Sequence, residues 1–241
     1  MIKFFRNIRK KLLLQGKTSN YLKYAIGEIV LVVIGILIAL QINNWNTNTI
    51  RKADERKILI ELQKGLELDR DKMVVDLASC KVAVEKMKQL QTLLKDKNYG
   101  YHKDLDTLFG QVYGIRKLVL NNAFYEDLKS SSLRIINNED IRLQIVQLFE
   151  QNYKGLSDIF YVAEPSINEV IRPYYLSNFH DIEFIKKATP NSFDWVWNDT
   201  YFQNIVDFRI IAITSNQVMA YEKALPKINE IIEAIDVYLK L

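Results

Sequence analysis

The chain has little of what most enzymes and secreted domains are built from. Its 241 residues include 1 Cys, 2 His, 4 Pro and 8 Gly. One cysteine excludes an intrachain disulfide, and with two histidines it also excludes a Cys/His zinc cluster. So few Gly and Pro argue against an all-β sandwich, which needs frequent tight turns. A composition 49% hydrophobic and 26% charged argues against disorder and leaves enough chain for one sizeable core. A surplus of one charge is also missing from most of the sequence. Lys3, Arg6, Arg9, Lys10, Lys11, Lys17 and Lys23 precede any acid, whereas acids slightly outnumber bases after residue 42. The formal charge of +4 therefore belongs to an N-terminal anchor, not to a nucleic-acid surface.

What is present is one long apolar run. Tyr24 to Ile42 reads YAIGEIVLVVIGILIALQI, with Glu28 its only charge. At 1.5 Å per residue it spans roughly 28 Å, close to the hydrocarbon thickness of a bilayer, as one internally hydrogen-bonded helix. A cleaved signal peptide has a shorter apolar region and a small-residue cleavage site, which Gln41 to Asn46 does not offer. The run thus reads as an uncleaved signal anchor. The basic flank places the N-terminus in the cytoplasm and residues 43–241 outside it, in the periplasm. Tyr21, Tyr24 and Trp45 suit the two interfacial aromatic belts. Within the first 23 residues, Ile2, Phe5, Ile8 and Leu12 share a helical face. The bases Lys3, Arg6, Arg9, Lys10 and Lys11 around that face would hold it on the anionic inner leaflet. Gly16-Lys17-Thr18 lacks the earlier glycine and the preceding strand of a phosphate loop. In the span, Gly27, Leu31, Gly35 and Ala39 form a ridge of mostly small groups. Such a ridge either serves helix contact or reflects the ordinary abundance of Gly and Ala in membrane helices. Glu28 either faces protein or snorkels towards Lys23.

Two blocks carry a family resemblance. GKTSNYLKYAIGEIVLVVIGILIALQINNWN, from Gly16 to Asn46, is the first. The second is Phe124-Tyr125-Glu126-Asp127-Leu128-Lys129-Ser130-Ser131-Ser132-Leu133, followed by Asn137-Asn138-Glu139-Asp140-Ile141-Arg142. Together they resemble a functionally uncharacterised family of single-pass membrane proteins of Bacteroidetes-type bacteria. Ser132 stands where that family's pattern has a Gly. The resemblance implies an inner-membrane protein with a helical periplasmic domain, and it implies no reaction, cofactor or ligand.

The remaining pattern is helical. Asn43 to Thr49, rich in weak helix formers, should break or fray the membrane helix. Ile50 to Lys97 then forms a long helix of about 45 residues. Leu59, Leu66, Met73, Cys80, Met87 and Leu94 fill one heptad position. The partner position, Leu62, Asp69, Asp76, Ala83 and Leu90, is only partly apolar, which favours an antiparallel bundle over a coiled coil. Asp104 should cap a helix through about Val119, and Asn138, or Asn137 paired with Asp140, one through about Val162. Pro165 suits the first turn of another helix, which Pro173 should end or kink. Residues 176–198 read as irregular and aromatic. Asp199 should cap a helix carrying Phe202, Ile205, Phe208 and Ala212 on one stripe. A last helix entered near Pro226 carries Leu225, Ile228, Ile231, Ile232, Ile235 and Leu239. The fold class is all-α: one transmembrane helix (24–42) followed by an antiparallel helical bundle.

No catalytic constellation stands out. Glu67, Asp69 and Asp71 point in different directions on a helix, so with Asp76 and the interleaved Lys64, Arg70 and Lys72 they read as a solvated charged face. Asp104-Leu105-Asp106 lacks the glycine and glutamate of a calcium loop. His180-Asp181-Ile182-Glu183 has no nucleophile beside it, and His102 stands alone. Cys80 reads as a small buried hydrophobe, or as an intersubunit disulfide if two copies pair. The aromatic segment 193–208 suits either a core or a ligand pocket. The sequence therefore points to a non-enzymatic membrane-anchored protein with no cofactor or metal. Its periplasmic body would bind a ligand or an envelope partner, as a sensor or scaffold. An oligomeric pore using Glu28 and the Gly27, Gly35 and Ala39 ridge is the alternative. Both readings leave the bilayer, a second copy or another envelope protein as the partners.

Overall fold

The computed structural model of the chain describes residues 18–116, 119–131 and 133–240. Its contacts divide it into two compact units, one ending at Glu55 and one running from Arg56. The inner-leaflet residues Lys3, Arg6, Arg9, Lys10 and Lys11, and Ser132, lie outside the described residues.

Helix α1 is Thr18–Leu93, 76 residues long. In the first unit it does not break at Asn43 to Thr49 as weak propensity predicts. The hydroxyls of Thr47 and Thr49 donate to the carbonyls of Asn43 and Trp45, each at 2.9 Å, so these polar side chains bond within the helix instead of competing with it.

The second unit is a helical bundle. Besides the later part of α1 it contains α2 (Leu105–Val112), α3 (Ala123–Ser131) and a 3₁₀ turn at Leu133–Ile135. There follow α4 (Glu139–Gln147), α5 (Lys154–Pro165) and α6 (Arg172–Asn178), joined by π-helical turns Leu148–Tyr153 and Ser166–Ile171. Strands β1 (Phe179–Glu183) and β2 (Lys187–Pro190) form a hairpin. Helices α7 (Phe193–Asn198), α8 (Thr200–Ala212) and α9 (Met219–Lys240) close the chain, with a π turn, Ile213–Val218, between the last two.

The heptad pattern finds its partner here. Leu59, Leu66, Met73, Cys80, Met87 and Leu94 are all buried, together with Leu62, Ala83 and Leu90. Side-chain bonds run down the pair of helices in opposite order. Arg56 donates to the Leu239 carbonyl at 2.8 Å, the Tyr221 hydroxyl to Asp76 at 2.5 Å, and Gln91 to Asp207 at 2.8 Å. The packing is antiparallel, as the incomplete seam predicted. Ile228, Ile231 and Ile235 of α9 face this core.

Several boundaries differ from the sequence expectation. Prolines 165, 173 and 226 are absorbed within helical runs, on exposed positions: Pro165 is the last residue of α5, Pro173 the second of α6, and Pro226 lies inside α9. The Arg172 amide bonds back five residues, to Ile167, so the π turn widens the spiral just ahead of Pro173. Asn138 does cap α4, accepting the Ile141 amide at 3.0 Å, and Asp199 caps α8 through the Tyr201 amide at 2.9 Å. Asp104 caps nothing: its own backbone is helical and its side chain takes no amide. Helix α2 stops at Val112, well short of Val119, because Gly114 sits at φ +143°, which only glycine adopts freely. The buried stripe of α8 is Phe202, Ile205, Val206 and Arg209, whereas Phe208 is exposed.

The segment 176–198 is also more ordered than it reads. Phe179 pairs with Pro190, His180 with Thr189 and Glu183 with Lys187, with an irregularity between His180 and Glu183. Strand β2 lies on α2. Ile185, at the turn, adopts φ +66°, an unfavourable conformation for a β-branched residue. Both its backbone groups are held: its amide donates to Tyr113 at 3.1 Å, and Gln111 donates to its carbonyl at 2.5 Å. Phe109, Tyr175, Phe179, Trp197 and Phe202 pack behind the hairpin as a buried aromatic cluster.

Candidate functional site

Three features of the chain are candidate sites. The first is the apolar part of α1. Its most apolar 18 residues have a mean hydropathy of 2.6, and none of them is buried. Ile29, Leu31, Ile34, Leu37 and Ile38 are each about half exposed or more, around the whole circumference of the helix. A helix apolar all round needs an apolar solvent, and this one is long enough to cross a bilayer. An added Cβ at Gly27 or Gly35 would meet nothing within 4 Å, so the small-residue ridge lies open. Ala39 and Trp45 are exposed on the same helix and Glu28 is partly covered.

The second is a cleft of about 240 Å³ in the second unit, lined by Leu62, Gly65, Leu68, Asp69, Phe124 and Phe149 among others. Phe149 is fixed by stacking on Tyr125, their rings 4.2 Å apart and nearly parallel. Asp69 corrects the solvated-face reading of the acidic cluster: it is buried, and both carboxylate oxygens accept the Asn121 amide at 3.2 Å. Asp76 likewise turns inward, to Tyr221, while Asp71 stays exposed beside Arg70. The interleaved partner position of the heptad explains this, because it faces the core whatever residue fills it. Burial raises the Asp69 pKa, opposed by the Asn121 amide, the Tyr153 phenol and the Lys72 ammonium.

That shift has a readable consequence. With the folded value above the unfolded 3.8, the native state keeps a proton that the unfolded chain has lost. Stability therefore falls as pH rises from about 3.8 through the folded value, then levels. Urea unfolding of Asp69→Asn across that window should lack this part of the decline; an unchanged profile would show that Asp69 is not held in the buried state.

The third is a knot of buried polar groups around two arginines. Arg209 donates from Nε to the Val112 carbonyl at 3.0 Å and from Nη2 to the Gly114 carbonyl at 2.9 Å. Arg116 donates from Nη2 to Gln111 at 2.8 Å, and its own carbonyl accepts from Gln217 at 2.8 Å. Both arginines are about 95% buried, at 5% exposure each. Burial, then the neighbouring Arg116 charge, lowers Arg209 to about 10. Cys80 closes the knot, its thiol 3.8 Å from Gln217 Oε1. Burial, then the Asp76 charge, pushes that thiol up to about 12.

Residues 28–211 match a family of unknown function, DUF6090. The chain belongs to that family. No curated protein and no solved structure matches it. The matched range contains the cleft, the hairpin and both arginines of the knot, whereas Gln217 lies beyond it. It also contains the second resembling block, Phe124 to Arg142, and the later part of the first.

For this family member the other residues singled out from the sequence are not brought together. His180 is exposed on β1 with Nδ1 2.8 Å from Asn191 Oδ1, and Glu183 pairs with Lys187 at 3.2 Å. His102 stands edge-on to Tyr99. Among the described residues, no group of three or more His, Cys, Asp or Glu is placed to hold a metal ion. Of the aromatic segment, Trp197 and Phe202 are core whereas Trp195, Tyr201 and Phe208 are exposed. Arg116 and Arg209 were missed. The signal for Arg209 lies in the sequence, as a base inside the stripe Phe202, Ile205, Val206 and Ile213.

Cys80 is buried as its heptad position predicts, and this leaves no room for an intersubunit disulfide through it. Maleimide labelling of the folded protein at pH 8 should run at least about 100-fold slower than in urea. Comparable rates would place Cys80 at a surface.

Proposed function

We propose that the protein is a non-enzymatic, single-pass anchor of a bacterial inner membrane whose helical periplasmic body docks a partner protein. The apolar, wholly exposed stretch of α1 supports the anchor, and the basic residues before it support a cytoplasmic N-terminus. The cleft beside Asp69 carries the docking. At about 240 Å³ it is smaller than the 300–1,000 Å³ pockets that enclose metabolites, and its lining mixes leucines and phenylalanines with Glu61, Lys64 and Asp69. A hole of that size suits one or two anchoring side chains of a protein surface. As a sensor or scaffold the body would act through that partner.

Gly65 gives the test. Its Cβ position opens onto the cleft with nothing within 4 Å, so Gly65→Trp fills the cleft without disturbing the core. Intact masses of the gently purified complex in lipid nanodiscs should show the chain with a second species, and Gly65→Trp should show the chain alone. A bare monomer from the unaltered protein, or a complex indifferent to Gly65→Trp, overturns the docking. A homo-oligomer that survives it and dissociates on Glu28→Gln favours the pore reading instead.

A further inference from the structure

The arginine knot is incomplete as protein alone. Arg116 has three guanidinium nitrogens, and only Nη2 has a partner; Nε and Nη1 are buried without one. Native structures rarely leave such donors unsatisfied, and a buried charge demands more than hydrogen bonds alone. Among the described residues both arginines bond neutral acceptors: carbonyls and the Gln111 side chain. The carboxylate whose charge bears on Arg116, Asp76, is engaged by Tyr221. Two positive charges are thus held in the core with no acid bonded to either among the described residues.

Beside them is a small cavity. It is lined by Gly114, Arg116, Arg209 and Gln217, with Ala163 and Ile213 as apolar wall, and its free volume is about 20 Å³. That is room for a single small occupant, a water or a monatomic ion. Gly114 contributes backbone to this wall at φ +143°, a conformation that other residues rarely adopt.

We propose that this cavity is a binding site for a single small inorganic anion of the halide class, held by the free Nε and Nη1 of Arg116 and by the charge of Arg209. A halide satisfies donors without needing any in return, and it offsets the paired positive charge. A water would satisfy the donors and leave the charge. Phosphate and sulfate, with four oxygens around a central atom, exceed the volume. The site lies apart from the docking cleft and does not depend on it.

The test uses the full chain in lipid nanodiscs, with chloride replacing gluconate at constant ionic strength. Gluconate is too large to enter. Chloride should raise the melting temperature saturably, by about 5 °C when well above its dissociation constant, and bromide should do the same. The ³⁵Cl resonance of the solution should broaden in excess and sharpen again when bromide competes. Arg116→Gln should lose both effects. Should that variant fail to fold, Ala163→Ile narrows the cavity, keeps both arginines, and should also lose them. Equal melting in chloride and gluconate, or no excess ³⁵Cl width, overturns the proposal and leaves a water in the site. Retention of the broadening by both variants overturns it as well.

Discussion

Changing Ile34 and Leu37 together to aspartate should release the protein from membranes that hold the unaltered chain. Both side chains are about half exposed on α1, near the middle of the apolar run, with no protein against them to shield a charge. A carboxylate at the centre of a membrane helix costs on the order of 3 kcal/mol. Two of them cost about 6 kcal/mol, enough to shift partitioning by about 10⁴. Alkaline carbonate extraction followed by flotation reads the result. The doubly substituted chain should stay in the supernatant, and Ile34→Ala with Leu37→Ala should float. Flotation of the aspartate variant would mean that something other than this run holds the protein. Glu28 lies about one turn from the end of the same run, where reaching the headgroups would cost less than a charge at the centre.

The helix long and apolar enough to cross a membrane was legible because a long apolar run is one strong signal. The long helix was legible for a similar reason. A heptad of Leu, Met and Cys places its face against a partner whatever the partner is, and the antiparallel mate α9 carries the matching isoleucines. Asp69 and Asp76 misled because charge was weighed above position; both occupy the buried heptad register and find an amide and a phenol there. The hairpin left no readable trace. Its first strand is irregular between His180 and Glu183, which destroys the alternation, and its turn is made by Ile185 instead of glycine or asparagine. Besides its own Lys186–Glu183 bond, that turn is held by long-range bonds with Gln111 and Tyr113, and pairings across such a distance are not written in local sequence. The prolines misled in the opposite sense, since π turns and exposure absorbed them within continuous helical runs. The arginine knot depends on α2, α8 and the loop after Gly114 converging, so only Arg209, sitting in an apolar stripe, betrayed it.

Gly110→Ala should be the most damaging single-methyl change in the body. On an ordinary helix position the same change gains about 0.5–1 kcal/mol by restricting the unfolded chain, and Gly155→Ala, where a Cβ meets nothing within 4 Å, should show that gain. At Gly110 the new Cβ would stand 2.3 Å from the Lys187 amide nitrogen and 2.5 Å from the Lys186 carbonyl carbon. These are backbone atoms of the hairpin and cannot swing aside. Either β2 lifts off α2 or α2 shifts into the aromatic cluster behind it, and overpacking of this kind costs about 3 kcal/mol. A drop of roughly 6–12 °C in melting temperature is expected, against a small rise for Gly155→Ala. The damage should also travel. If β2 lifts, Ile185 loses its hold on Gln111, and Gln111 is the acceptor that positions Arg116. Gly110→Ala should therefore weaken the chloride response as well as stability, while Gly155→Ala leaves it intact. Were the two variants to behave alike, the hairpin would not be seated on α2, and the wall that shapes the arginine cavity would lose its support.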